Sequence, residues 1–410
     1  MLYDSKKSKQ NRSCRKKNTE NAWQIIAYMI SLLQKGVSDM LKKFQVENYR
    51  GFKGSLSWDL SDTRDYGFRK NLVDNKIAKK SVVFGKNGSG KSSLCTAVVD
   101  ITAHLLDAEK DNILPHLFTY VGNEKKYATF TYVFQFGKDE VIYTYCKANL
   151  TTLLFEAIAV NGKEMLIHNF IDEKDNFIRI PGAENLRTQG LQQQLSVVKY
   201  IYNNTIQDEN SVISKIMKFV SGMLYFRSLR DANKYIGYKL GSEKLNEIIL
   251  NNGRLEDFNA FINDMGLNYT LVPLKLMSGA LTIGAKFEND NVVEFESIAS
   301  SGTRTLMLFY CWFIEFGKLT FLVIDEFDAY YHYELSEKIL SIIQSFDNMQ
   351  SVVTTHNVTL LHTKCTRPDC AFVIEDNGIK NLSSLTKKEL REAHNIEKLY
   401  RANEFEKGKE

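Results

Sequence analysis

One octapeptide constrains the fold of this 410-residue chain more than any other feature: residues 85–92 read GKNGSGKS. The octapeptide follows an apolar run at 81–84 and precedes a segment predicted to be helical, and a P-loop requires this order of strand, loop and helix. Glycines let backbone N–H groups close around phosphate oxygens. The ammonium group of Lys91 can bind the β- and γ-phosphates, and the Ser92 hydroxyl can ligate Mg²⁺. The predicted nucleotide-binding residues are Gly85, Lys86, Asn87, Gly88, Ser89, Gly90, Lys91, Ser92 and Ser93.

The composition is that of a globular protein, with 44% hydrophobic and 25% charged residues and no repeat or low-complexity tract. The six cysteines are scattered and no secretory signal is visible, which indicates a reduced, cytoplasmic location. Cys365 and Cys370 lack a second pair, so we expect core thiols and not a zinc site. The apolar stretch at 22–34 is too short to span a bilayer.

The excess of positive charge belongs to residues 1–39. They carry eight Lys or Arg and three Asp or Glu, whereas the other 371 residues carry 45 basic and 46 acidic groups. This composition favours a disordered tail, or an extension upstream of a natural start at Met40, because 40–52 reads like the opening strand of a P-loop ATPase. A basic arm for nucleic acid is a third interpretation.

Hydrophobic periodicity divides the chain into several parts. Alternation at 44–48, 129–136 and 141–145 predicts strands of an antiparallel sheet. Apolar spacings of three and four at about 185–265 predict helices, and strands alternating with helices from 292 onward predict a parallel α/β core. The expected domains are a basic tail at 1–39, an ATPase lobe at 40–160, an inserted and mostly helical lobe at 161–290, a second ATPase lobe at 291–375, and a C-terminal helix (387–401) with its tail within 376–410.

A second motif lies at 319–326, where an apolar run ends in Asp325 and Glu326. This is a Walker B pattern on a predicted buried strand. Asp325 at the carboxyl end of that strand is expected to hold Mg²⁺ together with Ser92, and Glu326 is expected to polarise the attacking water. Acidic pairs often follow apolar runs by chance, so this interpretation depends on the P-loop.

A histidine follows the next predicted strand. The run at 352–355 precedes His356, whose ring at the strand end is placed to contact the γ-phosphate or the attacking water. A histidine at a strand end is usually structural, but its position after the P-loop and the acidic pair favours a switch role. Lys91, Glu326 and His356 are therefore the predicted catalytic residues.

The segment 298–305, IASSGTRT, opens a predicted helix and offers hydroxyls, a glycine and a helix N-terminus as an anion site. One P-loop needs no second anion site, whereas a head-to-tail dimer does, because this signature would seal the γ-phosphate held by Lys91 of the other subunit. The alternative is an ordinary helix N-cap, where serine is common. The predicted across-dimer residues are Ser300, Ser301 and Gly302.

Together these motifs resemble the ABC-type, SMC-like ATPase heads that include the overcoming-lysogenization and RecF-like proteins. The resemblance covers about 40–110 and 290–375. It implies an α/β fold, namely an ABC-type ATPase head with an antiparallel β lobe, a parallel α/β core and an inserted helical lobe. It also implies that Asp328 lies at the dimer interface and that Arg50 approaches the nucleotide.

Within that class, the forms SSGTR at 300–304, DEFD at 325–328, TTHN at 354–357 and TRPD at 366–369 are similar to those of ATPases from prokaryotic anti-phage systems, such as the PARIS system and abortive infection. Two features depart from the pattern. Gln135 is a weak candidate for the Q-loop glutamine, and 329–333 reads AYYHY where Leu-His-Pro is commoner.

The resemblance implies ATP-driven dimerisation, slow hydrolysis of ATP to ADP and phosphate with Mg²⁺ as cofactor, and control of another protein. The sequence shows no TOPRIM-like carboxylate cluster and no HNH pattern, so the effector, a nuclease, is expected to be separately encoded. The leading hypothesis is an ATPase scaffold or sensor of an anti-phage defence system. It is expected to form a homo-oligomer built on ATP-bound, head-to-tail dimers, without a membrane.

Two other classes of function are compatible with parts of the sequence. A RecF-like DNA-binding repair ATPase would bind duplex DNA directly, but it predicts a basic face and the body after residue 39 is near neutral. The nucleotide-binding subunit of a transporter would need a membrane partner and a clear Q-loop, and neither is visible.

Overall fold

The computed structural model describes residues 39–107, 117–227, 235–237, 244–375 and 378–405. The expected basic tail, apart from Asp39, lies outside the described residues, as does the chain after residue 405. In chain order, the strands are β1 (Met40–Tyr49), β2 (Phe52–Asp59), β3 (Val73–Asp74), β4 (Ile77–Ala78), β5 (Lys80–Phe84), β6 (Ala128–Phe136), β7 (Asp139–Lys147), β8 (Leu153–Val160), β9 (Lys163–Asn169), β10 (Phe177–Ile178), β11 (Met223–Arg227), β12 (Tyr235–Gly237), β13 (Leu271–Lys275), β14 (Leu281–Lys286), β15 (Val292–Glu294), β16 (Phe321–Asp325), β17 (Gln350–Thr355), β18 (Ala371–Glu375) and β19 (Gly378–Asn381).

The α-helices are, in the same order, α1 (Lys91–Val98), α2 (Asp100–Leu105), α3 (Val197–Asn204), α4 (Val212–Ser221), α5 (Leu245–Asn251), α6 (Leu255–Asp264), α7 (Phe295–Ile298), α8 (Ser301–Phe313), α9 (Tyr333–Ser345) and α10 (Ile396–Arg401). Short 3₁₀ helices lie at Lys70–Leu72, Glu173–Asp175, Phe316–Lys318, Val358–Leu361 and Leu382–Ser384. Within the described ranges, no helix is long and apolar enough to cross a membrane.

Seven strands form an antiparallel sheet in the order β10-β9-β8-β7-β6-β1-β2. Along β6 every second residue is fully buried, so Phe130, Tyr132 and Phe134 share one face. This alternation is the reason that the period-2 segments of the sequence form strands with one covered face. The predicted antiparallel strands are confirmed.

A second sheet forms the α/β core in the order β12-β11-β16-β17-β5-β18-β19. Its five central strands are parallel, and its two outer strands are antiparallel to their neighbours. Every residue of β5, β16 and β17 is buried, as expected of parallel strands covered on both faces. The predicted α/β class, with one antiparallel and one parallel sheet, is therefore confirmed.

The core sheet lies between two hydrophobic clusters. Val323 belongs to the cluster that contains α1, α2 and the antiparallel sheet, and its neighbour Ile324 belongs to the cluster that contains α8 and α9. Successive side chains of a strand point to opposite faces, which explains this division. Cys370 lies in the first cluster and Cys365 in the second, so both are buried thiols as predicted.

The segment 161–290 differs from the expected mostly helical lobe. It contains α3 to α6, but it also supplies β9 to β14, and β11 lies inside the core sheet in parallel register with β16. A short, fully apolar run has no period that separates a buried strand from a buried helix. The helical content was therefore overestimated for this segment.

The C-terminal helix is also shorter than predicted. The expected helix at 387–401 begins only at Ile396. The side chain of Asn395 accepts a hydrogen bond from the backbone N–H of Lys398, and this N-cap fixes the start of the helix.

Candidate functional site

The P-loop joins the buried strand β5 to α1, as the motif requires. Gly88 and Gly90 have φ values of 79° and 101°, a backbone region that side chains rarely adopt. A Cβ atom at Gly90 would lie 2.7 Å from the ring of Phe52, and one at Gly85 would lie 2.4 Å from the Ser89 hydroxyl. The glycines are needed for this close-packed loop, which brings backbone N–H groups to the start of α1.

Lys91 opens α1, and its side chain is buried against the loop. Its Nζ donates hydrogen bonds to the carbonyl oxygens of Gly85 at 2.8 Å and Lys86 at 3.1 Å, and it lies 3.3 Å from Nδ1 of His356. Burial lowers the pKa of Lys91, although the charges of Asp325 and Glu326 oppose this effect. The structure therefore brings the P-loop lysine and the histidine after β17 into contact.

Asp325 ends β16 and is completely buried. Its Oδ1 accepts a hydrogen bond of 2.6 Å from the Thr354 hydroxyl on the neighbouring strand β17. Its Oδ2 accepts no hydrogen bond from a described residue and lies 3.5 Å from Nε of Arg227. A buried carboxylate oxygen without a hydrogen bond is a suitable ligand for a divalent cation.

Glu326 follows Asp325 with a left-handed backbone, φ 51°. Its N–H donates to the Thr354 hydroxyl at 2.8 Å. Its Oε2 accepts two hydrogen bonds from Arg227, at 2.6 Å from Nη2 and 3.2 Å from Nε. Burial opposes the charge of Arg227, but the hydrogen bond with Glu326 and the charge of Asp325 outweigh it and raise the pKa of Arg227.

Asp328 and the residues after β17 form a second set of contacts. Oδ2 of Asp328 accepts a hydrogen bond of 2.7 Å from the Thr355 hydroxyl, and the N–H of Asn357 donates to the same hydroxyl at 2.8 Å. Burial raises the pKa of Asp328, and hydrogen bonding by the Thr355 hydroxyl, the backbone of Asp328 and the Asn357 side chain partly offsets the rise. These bonds link the Walker B loop to the turn that carries the exposed His356.

The signature segment forms the N-terminus of α8. The Ser300 hydroxyl accepts a hydrogen bond of 3.2 Å from the N–H of Thr303, so Ser300 is the N-cap. Ser300 and Ser301 are exposed, and a Cβ at Gly302 would lie 2.9 Å from the carbonyl oxygen of Tyr330. The capping alternative is thus realised in the fold, while a role across a dimer stays a prediction.

Arg50 lies in the turn between β1 and β2 and reaches the P-loop helix. Its Nη1 donates to the Thr96 hydroxyl at 2.9 Å. That hydroxyl lies 3.0 Å from the carbonyl oxygen of Ser92 and 3.1 Å from that of Ser93. The arginine therefore contacts α1 one turn beyond the loop.

The residues present fit a nucleotide phosphate and a divalent cation. The Ser89 hydroxyl is buried in the loop and makes no hydrogen bond with a described residue. Oδ2 of Asp325 is also buried and accepts no hydrogen bond from a described residue. Such orphaned polar atoms are rare in folded proteins unless a ligand uses them. For the phosphate, Lys91 supplies a positive charge and the loop supplies backbone N–H donors. For the divalent cation, Ser92 and Asp325 supply oxygen ligands.

Arg227 contacts both Walker B carboxylates, whereas the Thr354 hydroxyl contacts the carboxylate of Asp325 and the backbone N–H of Glu326. The sequence did not identify either residue as part of the site. In the sequence, Thr354 stands out only as part of the TTHN motif at 354–357. Arg227 had one signal, because it is a charged residue at the end of the apolar run 223–226. Gln135, the candidate Q-loop residue, lies elsewhere: its Nε2 donates to the carbonyl oxygens of Gly137 and Asp139 in the β6–β7 hairpin.

The chain matches the family model described as "AAA domain, putative AbiEii toxin, Type IV TA system" over residues 80–362. The matched span is more than half of the chain and contains the P-loop, Arg227, the Walker B pair and His356. No curated protein matches the chain.

Solved structures of SMC head domains are similar to this chain. One, an SMC head bound to the C-winged helix domain of ScpA, is 15% identical with a TM-score of 0.43 and covers 83% of this chain and 96% of its own. The SMC head domain from Thermotoga maritima is 15% identical, with a TM-score of 0.41 and coverages of 83% and 97%. An Smc head domain with an extended coiled coil, bound to the C-terminal domain of ScpA derived from Pyrococcus furiosus, is 13% identical, with a TM-score of 0.44 and coverages of 84% and 97%.

Proposed function

The chain belongs to this AAA-domain family, and from that premise we propose that it is an ATPase that binds ATP with Mg²⁺, closes as a head-to-tail dimer and thereby controls a separately encoded effector. One observation carries the ATPase part of the proposal. Lys91 of the P-loop, the buried Asp325 with Glu326, and His356 converge at the carboxyl edge of the core sheet, where open α/β sheets bind their ligands.

Each residue has a chemical role in this proposal. Lys91 and the loop N–H groups bind the β- and γ-phosphates, while Ser92 and Asp325 hold Mg²⁺. When bound, Mg²⁺ would neutralise charge on the phosphate oxygens. Glu326 orients the attacking water and accepts its proton, and His356 contacts the γ-phosphate from the end of β17.

The dimer part of the proposal rests on the signature. Ser300 and Ser301 are exposed at the N-terminus of α8, a 13-residue helix whose first N–H groups can bind an anion. In a head-to-tail dimer they would meet the γ-phosphate bound by the partner, with Asp328 at the interface. Arg50, already in contact with α1, would approach the nucleotide from the β1–β2 turn.

Control of an effector in anti-phage defence is the outermost part of the proposal. It is supported by the resemblance of the motifs to anti-phage ATPases and by the family description, which refers to a toxin and to a toxin–antitoxin system. Such an ATPase would use nucleotide-dependent closure to hold or release a toxic partner.

The experiment uses Glu326→Gln protein, purified from the native host with ATP and Mg²⁺. The variant should bind ATP, lose hydrolysis and accumulate as a closed dimer together with its partner, because the amide cannot accept the proton of water. Light scattering gives the mass, and mass spectrometry after nuclease treatment identifies the partner.

The control is Lys91→Ala in the same Glu326→Gln background, which should stay open and unpartnered. Normal hydrolysis by Glu326→Gln would show that another residue acts on the water. Recovery of nuclease-sensitive DNA with no protein partner would instead favour the DNA-repair function.

A further inference from the structure

Arg227 lies beside the Walker B pair because of the strand order in the core sheet. β11 is parallel to β16, and the register places Arg227 directly opposite Asp325. Thr354 lies on the other side, on β17. Asp325 and Glu326 at the end of β16 are therefore contacted by a guanidinium from one neighbouring strand and by a hydroxyl from the other.

Arg227 donates two hydrogen bonds to one oxygen of Glu326, and its Nε also lies 3.5 Å from Oδ2 of Asp325. Nη2 and Nε both donate to Oε2, at 2.6 Å and 3.2 Å. Oε1 of Glu326 receives no hydrogen bond from the part of the chain that the structure describes. The guanidinium thus fixes the plane of the carboxylate with one oxygen while the other stays available as a proton acceptor.

The backbone of Glu326 needs such support. Its φ of 51° is uncommon for a residue with a long side chain, and backbones of this kind persist only where the surroundings hold them. The Thr354 hydroxyl holds the N–H of Glu326, and Arg227 holds the carboxylate. Both ends of the residue are consequently fixed from neighbouring strands.

We propose that Arg227 is a positioning residue for hydrolysis: it orients the carboxylate of Glu326 so that Oε1 accepts the proton of the attacking water. This inference rests on the proposed function. A general base that is already held in its reactive orientation accelerates a reaction, because less conformational entropy is lost on reaching the transition state. Arg227 acts through Glu326 and does not itself hold the nucleotide.

The test measures steady-state hydrolysis of ATP and the affinity for a fluorescent ATP analogue in four variants: Arg227→Ala, Arg227→Lys, Glu326→Gln and the double variant Arg227→Ala with Glu326→Gln. Arg227→Ala should lower kcat roughly 10- to 100-fold and leave KM and analogue affinity within about twofold. Arg227→Lys should recover part of kcat, because an ammonium restores the charge but not the two-donor geometry.

The double variant separates positioning from a general structural effect. If Arg227 acts through Glu326, the double variant should hydrolyse ATP at the rate of Glu326→Gln alone, since the losses of residues that act as a unit do not add. The matched control is Arg401→Ala, which removes an exposed arginine paired with Glu397 on α10 and should leave kcat unchanged.

Several outcomes would overturn the inference. They are an unchanged or raised kcat in Arg227→Ala, a loss of analogue affinity in place of kcat, or additive losses in the double variant. If Arg227→Ala does not fold, as judged by thermal denaturation, Arg227→Lys carries the test and must show a reduced kcat at normal affinity. Wild-type protein without any turnover would contradict the proposed function itself, whereas active wild type with fully active Arg227 variants would contradict only the role of Arg227.

Discussion

Burial lowers the pKa of Lys91, and the charges of Asp325 and Glu326 oppose that effect. Its ammonium group is held by the carbonyl oxygens of Gly85 and Lys86. A bound polyphosphate would offer the same group charge-assisted hydrogen bonds, which are stronger than bonds to neutral carbonyls. At the scale of single residues, nucleotide binding should therefore depend strongly on this one side chain.

Lys91→Ala should weaken ATP binding about 100-fold or more, because charge-assisted hydrogen bonds contribute roughly 1.5–3 kcal/mol each. Isothermal titration with ATP and Mg²⁺ measures the affinity. Lys126→Ala is the control, since Lys126 is an exposed lysine outside the site. Equal affinities for the two variants would contradict the P-loop assignment.

At the scale of elements, a buried ion pair joins the helices after the P-loop to the antiparallel sheet. Nζ of Lys147, the last residue of β7, lies 2.9 Å from Oδ2 of Asp100, the first residue of α2, and both side chains are 0% exposed. The Tyr145 hydroxyl donates to the same Oδ2 at 3.0 Å. Nearby, the Tyr132 hydroxyl donates to the carbonyl oxygen of Ala97 in α1. The position of α1 relative to this sheet is thus set by polar contacts as well as by packing.

Lys147→Ala should lower the free energy of unfolding by about 3–5 kcal/mol, because it removes the ammonium group that pairs with the buried carboxylate of Asp100. Urea denaturation followed by tryptophan fluorescence measures the change. Lys163→Ala, which removes an exposed lysine at the start of β9, should stay within about 0.5 kcal/mol of wild type. A Lys147 variant as stable as this control would mean that the pair contributes nothing to the link.

At the scale of the whole molecule, the core sheet separates two hydrophobic clusters and leaves polar groups at its carboxyl edge. Among the described residues, the signature makes no hydrogen bond to the P-loop of its own chain, and Ser300 and Ser301 are exposed. A second subunit is the proposed partner of this surface.

Ser300→Arg, made in the Glu326→Gln background, should abolish the ATP-dependent dimer while each subunit still binds ATP, because a long cation would occupy the closing surface. Analytical ultracentrifugation with and without ATP measures the assembly. The substitution also removes an N-cap, which costs about 1 kcal/mol. Ser211→Arg removes the equivalent cap of α4 and controls for that loss. A dimer that persists in the Ser300 variant would contradict closure through the signature.

The sequence by itself determined the features that depend on contiguous residues. The glycines, lysine and serine of the P-loop have a fixed local spacing, and the alternating segments such as 129–136 form strands because period 2 matches a sheet with one covered face. The acidic pair at the end of β16 could also be predicted from contiguous residues, because Asp325 and Glu326 directly follow an apolar run.

Only the tertiary structure decided which residues from distant parts of the chain meet. Nothing local in Met223–Arg227 distinguishes a core strand from a helix, and its pairing with β16 decides that Arg227 faces Asp325 and Glu326. The same holds for Thr354 on β17, whose hydroxyl donates to Oδ1 of Asp325 and accepts a hydrogen bond from the N–H of Glu326. Strand order and register are set by packing of the whole chain, since a shift of one residue would turn every side chain to the opposite face.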